Sequence, residues 1–303
     1  MQVIHLSSQD RLPKSNQILA LGFFDGLHSA HRSLLQTTID IATKAQLTPA
    51  MMTFSTHILS FLKKETFHYL TSLEDKIQIA ESMGFEVFYV LDVTTSLTSL
   101  EPSAFIDQFL TSMKEIVVGF DFTYGKRGLG NVHMLQQYQE FKTTIIGELT
   151  YYNKKVGSTR IREAIKEGKI NLANHLLGRP YQMIGEVIKG KGRGTNLGFP
   201  TANLSYCCYL LPKSGVYIAT VYLEGQRLNA LVNVGDNPTF EDKEVSLEAY
   251  IMDFTGKIYG KKLTIQFIKF LRDEIKYTNI IDLIDQMKED ERIARLYLER
   301  TNT

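Results

Sequence analysis

The chain has 303 residues, of which 44% are hydrophobic and 22% are charged, and its formal net charge is +1. This length suits two domains of about 150 residues, and the near-neutral charge gives no general attraction to nucleic acid or to a membrane surface. The first residues lack a signal-peptide pattern, and no apolar run reaches the roughly 18 residues of a membrane helix. We therefore expect a cytoplasmic protein whose partners are small molecules, with no nucleic acid and no membrane among them.

The first half of the chain alternates short apolar runs with amphipathic segments. The predicted strands are QILALGFF, PAMMTF, EVFYVLDV, EIVVGFDF and TTIIGELT. Helices are predicted in SLLQTTIDIATKAQL and in SLEDKIQIAESMG, the latter with Ser72 as its N-cap, Asp75 three residues later and Gly84 at its end. Apolar strands that alternate with helices indicate a Rossmann-like α/β domain with a doubly wound parallel sheet. Ligands of such sheets bind beyond the carboxyl ends of the strands.

The second half has a different pattern. Its predicted strands, MIGEVIKG, GVYIATVYLEG, RLNALVNVG, VSLEAYIMDF and KLTIQFIKFL, follow one another without intervening helices. Turns rich in Gly, Asn and Pro separate several of them, which favours an antiparallel barrel or sandwich. A helical pattern closes the chain from Asn279 to about Arg300. We place the boundary near Arg179 to Met183 and predict two domains, 1–182 and 183–303.

The only cysteines of the sequence, Cys207 and Cys208, are adjacent. Adjacent cysteines cannot link distant segments, so they give no sign of an oxidising compartment. We interpret them as two small apolar residues of a reduced protein.

The first long apolar run leads into GFFDGLHSAHR, which contains Gly22, Asp25, Gly26, His28 and His31. Glycines let backbone amides approach an anion, and a helix that starts near the second histidine directs its positive end the same way. A phosphate site is therefore the favoured interpretation. A metal site would need more ligands than this segment supplies. Histidines with a purely structural role are the other alternative.

Two further segments place polar groups after predicted strands. VVGFDFTYGKRG carries Asp121 directly after an apolar run, and VGSTRIREAI carries Ser158, Thr159 and Arg162 at the start of a helix. Each segment by itself could be a turn or a capped helix. Together with the histidine segment they predict a site for a polyphosphate.

The motifs FDGLHSAH, VVGFDFTYG and STRIR resemble those of the nucleotidylyltransferase half of the prokaryotic bifunctional riboflavin kinase/FMN adenylyltransferases, the FAD synthetases. The resemblance implies that His28 and His31 are catalytic. It also implies a set of residues that bind ATP and its phosphates: Gly22, Phe24, Asp25, Gly26, Asp121, Ser158, Thr159 and Arg162. The FMN phosphate would attack the α-phosphate of ATP and release pyrophosphate. Since the second pKa of a phosphomonoester is about 6, this nucleophile needs no strong base.

The segment GKGRGTNLGFPTANL resembles the riboflavin kinase signature of the same family. The resemblance implies a glycine-rich loop around ATP or flavin, formed by Gly190, Gly192, Arg193 and Gly194. Thr201 and Asn203 would hold Mg²⁺, and their alternation in an extended segment allows both to face one ligand. Glu248 in SLEAYIMDF matches the catalytic glutamate, which is needed because the acceptor is an alcohol that must lose its proton. Arg272 would lie near flavin or nucleotide, or alternatively form a salt bridge with Asp273 or Glu274.

The sequence departs from the family pattern at several positions. Ala30 replaces a glycine between the histidines, Gly157 stands where a serine is common, and Thr195 replaces an arginine. The TFSTHI segment retains His57 but neither proline of its element. We therefore expect FAD biosynthesis from riboflavin, FMN and ATP with Mg²⁺. The alternatives are an enzyme with one of the two activities, a non-catalytic flavin- or nucleotide-binding regulator and, less favoured, another nucleotidylyltransferase.

Overall fold

The computed structural model describes residues 1–190, 197–238 and 243–301, and the chain divides into two compact units, Met1–Ser158 and Thr159–Thr303. The strands of the first unit are β1 Gln2–Leu6, β2 Gln17–Leu21, β3 Thr48–Phe54, β4 Val87–Leu91, β5 Glu115–Gly119, β6 Thr123–Tyr124, β7 Gly130–Asn131, β8 Lys142–Ile146, β9 Thr150–Tyr151 and β10 Lys154–Lys155. Its helices are α1 Ser29–Ala45, α2 Ile58–Lys63, α3 Leu73–Ser82, α4 Thr95–Thr98, α5 Pro102–Phe109 and α6 Val132–Gln137.

The main sheet of the first unit has the order β1-β4-β3-β2-β5-β8, and all neighbouring strands are parallel. Leu19 and Leu21 of β2 pack into one apolar cluster, whereas Ile18 and Ala20 pack into the other. The sheet is therefore buried on both faces, which confirms the predicted doubly wound α/β fold. Because β3 and β5 flank β2 on opposite sides, the strand order reverses at β2. Ligands of open α/β sheets bind at such a point.

Local sequence signals account for much of this unit. The side chain of Ser72 accepts a hydrogen bond from the Asp75 backbone, and the Asp75 carboxylate accepts one from the Ser72 backbone, so the predicted start of α3 is a capping box. The helix after the first motif begins at Ser29, slightly before the expected start near His31. Strand β1 was not predicted, because it lies at the sheet edge and is largely exposed.

The second unit contains a closed barrel with the order β11-β12-β15-β14-β13-β16. Its strands are β11 Tyr181–Ile188, β12 Thr201–Tyr206, β13 Gly215–Leu223, β14 Gln226–Pro238, β15 Lys243–Ile251 and β16 Lys262–Arg272, and all pairs are antiparallel. The remaining helices are α7 Ser158–Lys166, α8 Ile170–Leu177 and α9 Ile280–Thr301. Of the two predicted alternatives, the barrel is therefore the correct one.

Helix α9 covers part of the outside of the barrel. Tyr217 and Ala219 on one face of β13 are fully buried, whereas Ile218 on the other face belongs to an apolar cluster with Ala294 and Leu298 of α9. This alternation is expected where one strand face fills a barrel and the other meets a covering helix. The helix predicted from Asn279 is thus part of the barrel's packing.

Helix α8 is also tied to the barrel. The Asn174 side chain donates a hydrogen bond to the Phe267 carbonyl at 2.8 Å and accepts one from the Tyr181 amide at 2.7 Å. Cys207 and Cys208 follow β12, and both are exposed, so they do not contribute to the core as small apolar residues would. Among the described residues, no helix is long and apolar enough to cross a bilayer.

Candidate functional site

The loop of residues 22–28 connects β2 to α1 and has an unusual backbone. Phe24, Gly26 and Leu27 have φ angles of 54°, 87° and 42°. The left-handed region is unfavourable for phenylalanine and leucine, yet both side chains are almost completely buried, with exposed fractions of 1% and 0%. Backbone strain of this kind persists where surrounding contacts fix it, and such positions cluster at functional sites.

Two side chains from other elements hold the Phe23 carbonyl of this loop. The Thr53 hydroxyl at the end of β3 donates to it at 2.9 Å, and the Lys76 ammonium of α3 donates at 2.7 Å. The ammonium also lies 4.2 Å from the centre of the Phe23 ring. The loop is thus attached to both the sheet and a covering helix.

Asp25 anchors the middle of the loop. It is only 3% exposed, and its carboxylate accepts a hydrogen bond from the Leu70 amide at 2.9 Å. The Ser158 hydroxyl donates to the Asp25 carbonyl oxygen at 2.8 Å. Two residues that the sequence predicts as phosphate ligands are therefore in direct contact, although 133 positions separate them. The Asp25 carboxylate fixes the loop through its hydrogen bond with the Leu70 amide.

The two histidines lie at the start of α1. His28 is the N-cap, and its Nδ1 accepts a hydrogen bond from the His31 amide at 3.4 Å. The two rings stack with centres 3.6 Å apart and an angle of 17° between their planes. His28 is 5% exposed, and the buried Nδ1 of His31 has no hydrogen-bond partner among the described residues. An unpaired buried ring nitrogen is costly, and a ligand at this position would satisfy it.

The environment keeps both imidazoles uncharged at neutral pH. Burial lowers the pKa of His28 to about 4, although the Asp121 carboxylate opposes the shift. Burial also lowers the pKa of His31 well below its usual value, and the positive charges of Lys76 and Lys155 and the neighbouring His28 add to this effect. Neutral imidazoles offer one N–H donor and one acceptor each, so they can hydrogen-bond to phosphate oxygens.

The structure also bears on the two other interpretations of the histidine pair, a metal site and a purely structural role. The described residues include no group of three or more His, Cys, Asp or Glu side chains that could hold a metal ion. A structural role is partly correct, because His28 caps α1. That role leaves the unpaired His31 nitrogen unexplained.

Lys76 is a residue of this site that the sequence analysis missed. Its side chain is almost fully buried, with 2% exposed, and burial lowers its pKa to about 8 against the attraction of Asp25. A signal was present in the sequence: Lys76 follows Leu73 by three residues and precedes Ala80 by four, so helical periodicity places it on the buried face of α3. A lysine at a core position is a candidate for function.

Asp121 follows β5, the strand next to β2 at the point where the strand order reverses. Its carboxylate forms a salt bridge with Lys155, and both side chains are about half exposed. The Lys155 ammonium also lies 4.7 Å from the centre of the Phe120 ring. The sequence predicted Asp121 but not Lys155, which the short β9–β10 hairpin presents.

The remaining predicted residues of this site lie on α7 and at the loop. Helix α7 begins at Ser158, as predicted; Thr159 is exposed and Arg162 half-buried, and both belong to the second unit. Gly22 is buried, and a Cβ atom there would come 3.0 Å from the Phe24 ring.

A second group of polar side chains lies on three adjacent strands of the barrel. Asn203 of β12 is opposite Glu248 of β15, which is opposite Asn233 of β14, and Thr201 is opposite Tyr250. Directly opposed residues of antiparallel strands project from the same face of the sheet. The Thr201 hydroxyl donates a hydrogen bond to the Glu248 carboxylate at 3.1 Å.

Thr201, Asn233, Glu248 and Tyr250 line a cavity of about 270 Å³ in the second unit, whereas Asn203 is not part of its lining. Its apolar wall includes Phe199, Leu231, Ile275, Tyr277 and Met287, and its polar groups include Thr201, Asn233, Glu248, Arg272, Glu274 and Asp290. An apolar cavity with a few polar groups is typical of a small-molecule site. The Tyr277 hydroxyl is buried without a hydrogen-bond partner among the described residues.

Arg272 has a partner that the sequence did not predict. Its guanidinium binds both carboxylate oxygens of Asp290 on α9, at 2.9 Å from Nε and 2.7 Å from Nη2. The Gln286 side chain donates to the same carboxylate at 2.9 Å. The alternative of a salt bridge with Asp273 or Glu274 is therefore wrong: the carboxylate that pairs with Arg272 is that of Asp290, and Asp273 accepts from Arg272 through its carbonyl oxygen, at 3.0 Å.

The predicted glycine-rich loop is described only at its first residue. The Gly190 backbone lies so close to Asn203 that a Cβ atom would collide with the Asn203 amide. Gly192, Arg193, Gly194 and Thr195 lie outside the described residues.

The fold defines a class of two-domain proteins, in which an α/β unit with a doubly wound parallel sheet is followed by a closed antiparallel barrel that contains a cavity. A family model described as FAD synthetase matches residues 11–160, and one described as riboflavin kinase matches residues 177–298. Relatives with both activities in their name are 38% identical over 98% of this chain, so the chain belongs to the bifunctional riboflavin kinase/FMN adenylyltransferase family. Riboflavin, FMN, FAD and ATP are accordingly its substrates and products, in FAD biosynthesis.

Relatives of that name cover nearly the whole chain. The protein of Listeria monocytogenes is 38% identical over 98% of this chain and 97% of its own length, and that of Bacillus subtilis is 38% identical over 98% of both. The Escherichia coli K12 protein is 29% identical over 98% and 97%. A crystal structure described as a macrolide-efflux protein from Streptococcus pneumoniae has a TM-score of 0.89 and 30% identity, and covers 97% of this chain and 99% of its own.

Proposed function

We propose that adenylyl transfer to FMN takes place where β2 and β5 end, with His28 and His31 as its central groups. The observation that carries this proposal is the pair of uncharged and stacked imidazoles beside the strained loop of residues 22–28; His28 is buried, and His31 is half-buried with a buried, unpaired Nδ1. The loop follows the strand at which the sheet order reverses. Asp25 and Ser158 hold its backbone in place.

The uncharged state of the histidines suits this reaction. The FMN phosphate is already largely ionised at pH 7, so it needs orientation and charge stabilisation but no proton acceptor. The imidazoles donate hydrogen bonds to phosphate oxygens. Lys76 and Lys155 supply positive charge, and Lys76 also fixes the loop through the Phe23 carbonyl. Gly22, Phe24, Gly26 and Asp121 complete the proposed ATP site of the first unit, and Thr159 and Arg162 of the second unit stay predicted ATP-binding residues.

We propose that riboflavin phosphorylation takes place in the cavity of the barrel, with Glu248 as the general base. The ribityl hydroxyl of riboflavin loses its proton to the Glu248 carboxylate as its oxygen attacks the γ-phosphate of ATP, and ADP leaves. The Thr201 hydroxyl orients that carboxylate from 3.1 Å. The apolar wall contacts the flavin ring. Arg272 lines the same cavity, and its hydrogen bonds with Asp290 fix the orientation of the guanidinium group.

The donor set in the barrel also fits Mg²⁺. The Thr201 hydroxyl, the Asn203 amide and the Glu248 carboxylate offer the oxygen ligands that Mg²⁺ prefers, and few protein ligands are needed when phosphates supply the others. Thr201 and Asn203 would hold the ion, which would neutralise phosphate charge when bound. Gly190, Gly192, Arg193 and Gly194 stay predicted ATP or flavin ligands.

We also propose that 1–182 and 183–303 act as the two functional domains. A fragment of residues 183–303 lacks α8 and its Asn174 contacts, whereas a fragment of residues 159–303 retains them. Both fragments are expected to phosphorylate riboflavin, the longer one with the higher unfolding temperature. Loss of the reaction in both would mean that the barrel does not work alone. The cytoplasmic location and the absence of nucleic-acid and membrane partners stay predictions.

Product chromatography tests the division of labour between the two sites. With riboflavin, ATP and Mg²⁺, we expect FMN to appear first and FAD to follow with pyrophosphate. An enzyme weakened by Ala30 and Gly157 would accumulate FMN, and one weakened at Thr195 would make FAD only from supplied FMN. Tight flavin binding without either product would instead indicate a regulator.

A further inference from the structure

Cys207 and Cys208 bring their sulfur atoms unusually close together. The two Sγ atoms are 2.8 Å apart, and both residues are exposed. A disulfide bond is about 2.05 Å long, so the two sulfur atoms lie within about 1 Å of the bonded distance. The pair lies directly after β12, outside the sites described above.

The backbone accounts for this proximity. Successive side chains of an extended strand project to opposite faces, which would keep adjacent thiols apart. Strand β12 ends at Tyr206, and Cys208 has a φ angle of 63°, in the left-handed region that a cysteine rarely adopts. The turn therefore places both sulfur atoms on the same side of the chain.

The two thiols differ in reactivity. The hydrogen bond with Cys207 raises the pKa of Cys208 to about 11, and partial burial and the charge of Cys207 add to the shift. Because the thiolate is the attacking species in thiol–disulfide exchange, the raised pKa slows attack by Cys208, and closing the ring depends on how near its sulfur lies to that of Cys207.

We propose that Cys207 and Cys208 are a redox modification site, at which a low-molecular-weight disulfide such as oxidised glutathione converts the two thiols to a vicinal disulfide. The Cys207 thiolate attacks one glutathione sulfur, which breaks the glutathione disulfide and releases one glutathione thiolate. Cys208 then loses its proton to water, and its sulfur attacks the Cys207 sulfur and releases the second glutathione. Two protein thiols are oxidised, and one glutathione disulfide is reduced to two thiols.

The resulting bond is easily reduced. The Cα atoms of adjacent residues are about 3.8 Å apart across a trans peptide, whereas disulfides span about 4.4 to 6.8 Å between Cα atoms. Ring closure therefore strains the bond, and strained disulfides are the labile ones. The site is a reversible switch and not a structural crosslink.

Mass spectrometry of the full-length chain tests this proposal. The chain is incubated with oxidised glutathione and then alkylated with N-ethylmaleimide. We expect both cysteines to lose their alkylation together, with the mass of two hydrogen atoms lost, and reduced glutathione to restore both. The variants Cys207→Ser and Cys208→Ser cannot close the ring and are expected to retain one glutathionyl group each.

The same experiment in urea measures what the fold contributes. In the native chain the mixed disulfide with glutathione should accumulate about tenfold less than in urea, because the second sulfur is already positioned to attack. Equal accumulation in the two conditions would overturn the proposal. A native chain that stays fully alkylated, or that carries glutathione on either cysteine in place of the ring, would also overturn it.

Discussion

The sheet-edge site and the barrel site, which are both proposed to use ATP, hold their ionisable groups in opposite ways. At the sheet edge, His28 and Lys76 are buried and His31 is half-buried, and burial lowers the pKa of each. In the barrel, Glu248 is half-buried and hydrogen-bonded to Thr201. The difference matches the acceptors, because a phosphate needs no base whereas an alcohol does.

The two sites also differ in how the chain builds them. The sheet-edge site depends on a strained loop that side chains from β3, α3 and the start of α7 hold in place. The barrel site lies on adjacent strands in regular register, so Asn203, Glu248 and Asn233 are aligned by the backbone itself. We therefore expect the first site to be more sensitive to changes outside the reacting groups.

The largest effect is expected from His31→Ala. The substitution removes one of the two stacked imidazoles, so FMN should no longer be converted to FAD, whereas phosphorylation of riboflavin by the same chain should be nearly unchanged. Both rates are measured by product chromatography, with His133→Ala as a control that removes an exposed imidazole from α6. Loss of both activities in a folded variant would contradict the separation of the two sites.

A reciprocal effect is expected from Glu248→Gln, which retains the shape of the side chain but removes the base. Riboflavin phosphorylation should fall by roughly 10² to 10⁴, the range typical of general-base loss. Adenylyl transfer to supplied FMN should hardly change. Glu186→Gln is the matched control, since Glu186 is an exposed strand glutamate of the same barrel. A kinase rate within a few-fold of the wild type, with riboflavin still bound, would show that Glu248 is not the base.

Part of the barrel arrangement could be predicted from local sequence. Thr201 and Asn203 lie on one strand, and the period of two residues along a strand places both on one face without knowledge of distant contacts, whereas Glu248 was predicted from the family resemblance and its role stays a prediction. The capping box of Ser72 and Asp75 is equally local, and it too was predicted.

The sequence could not reveal contacts that depend on the packing of distant elements. The Asp25–Leu70 and Asp25–Ser158 hydrogen bonds join segments far apart in the chain, and no local pattern encodes them. The left-handed backbone at Phe24 and Leu27 is likewise hidden, because neither residue type favours it. The ion pair of Arg272 with Asp290 depends on how α9 docks on the barrel.

A smaller effect on activity, with an opposite effect on stability, is expected from Lys76→Met. Loss of the ammonium frees the Phe23 carbonyl and removes charge near the phosphates, so adenylyl transfer should fall by about 10- to 100-fold. The fold itself should gain stability. Lowering the lysine pKa from 10.5 to about 8 costs the native state about 3 kcal/mol while the group is charged, and the lost hydrogen bond offsets about 1 kcal/mol of the gain.

The pH dependence of the free energy of unfolding shows whether the stability gain of Lys76→Met comes from removing the buried charge. The cost of the charged ammonium to the native state is complete below pH 8 and disappears as the pH rises toward 10.5, where the unfolded chain also loses the proton. Urea unfolding of the first unit should therefore show Lys76→Met about 2 kcal/mol more stable than wild type at pH 7, with the difference shrinking above pH 8. Lys44→Met, at an exposed position of α1, is the control. A variant less stable than wild type at pH 7 would show that the buried ammonium stabilises the fold.

The last prediction concerns the acid sensitivity of the first unit. His28 has a pKa of about 4 in the native chain against 6.5 in the unfolded chain, so the unfolded state binds the proton first as the pH falls. The contribution of the neutral ring to stability is therefore complete above pH 6.5 and is lost between pH 6.5 and about 4. His31, whose pKa is also lowered, likewise binds a proton in the unfolded state at a pH at which it stays neutral in the native state.

The variant His28→Asn removes one of these protons but retains the helix cap, because an asparagine side chain accepts the same backbone hydrogen bond. Each excess proton in the unfolded state changes stability by about 1.4 kcal/mol per pH unit, so the variant should lose stability between pH 6 and 5 about half as steeply as wild type. Hydrogen exchange of peptides from β2 and β5 measures this slope for the first unit alone, while the barrel peptides serve as an internal reference. An unchanged slope would mean that His28 is already protonated in the native chain at pH 6, and the uncharged imidazole pair would then be abandoned as the basis of the sheet-edge site.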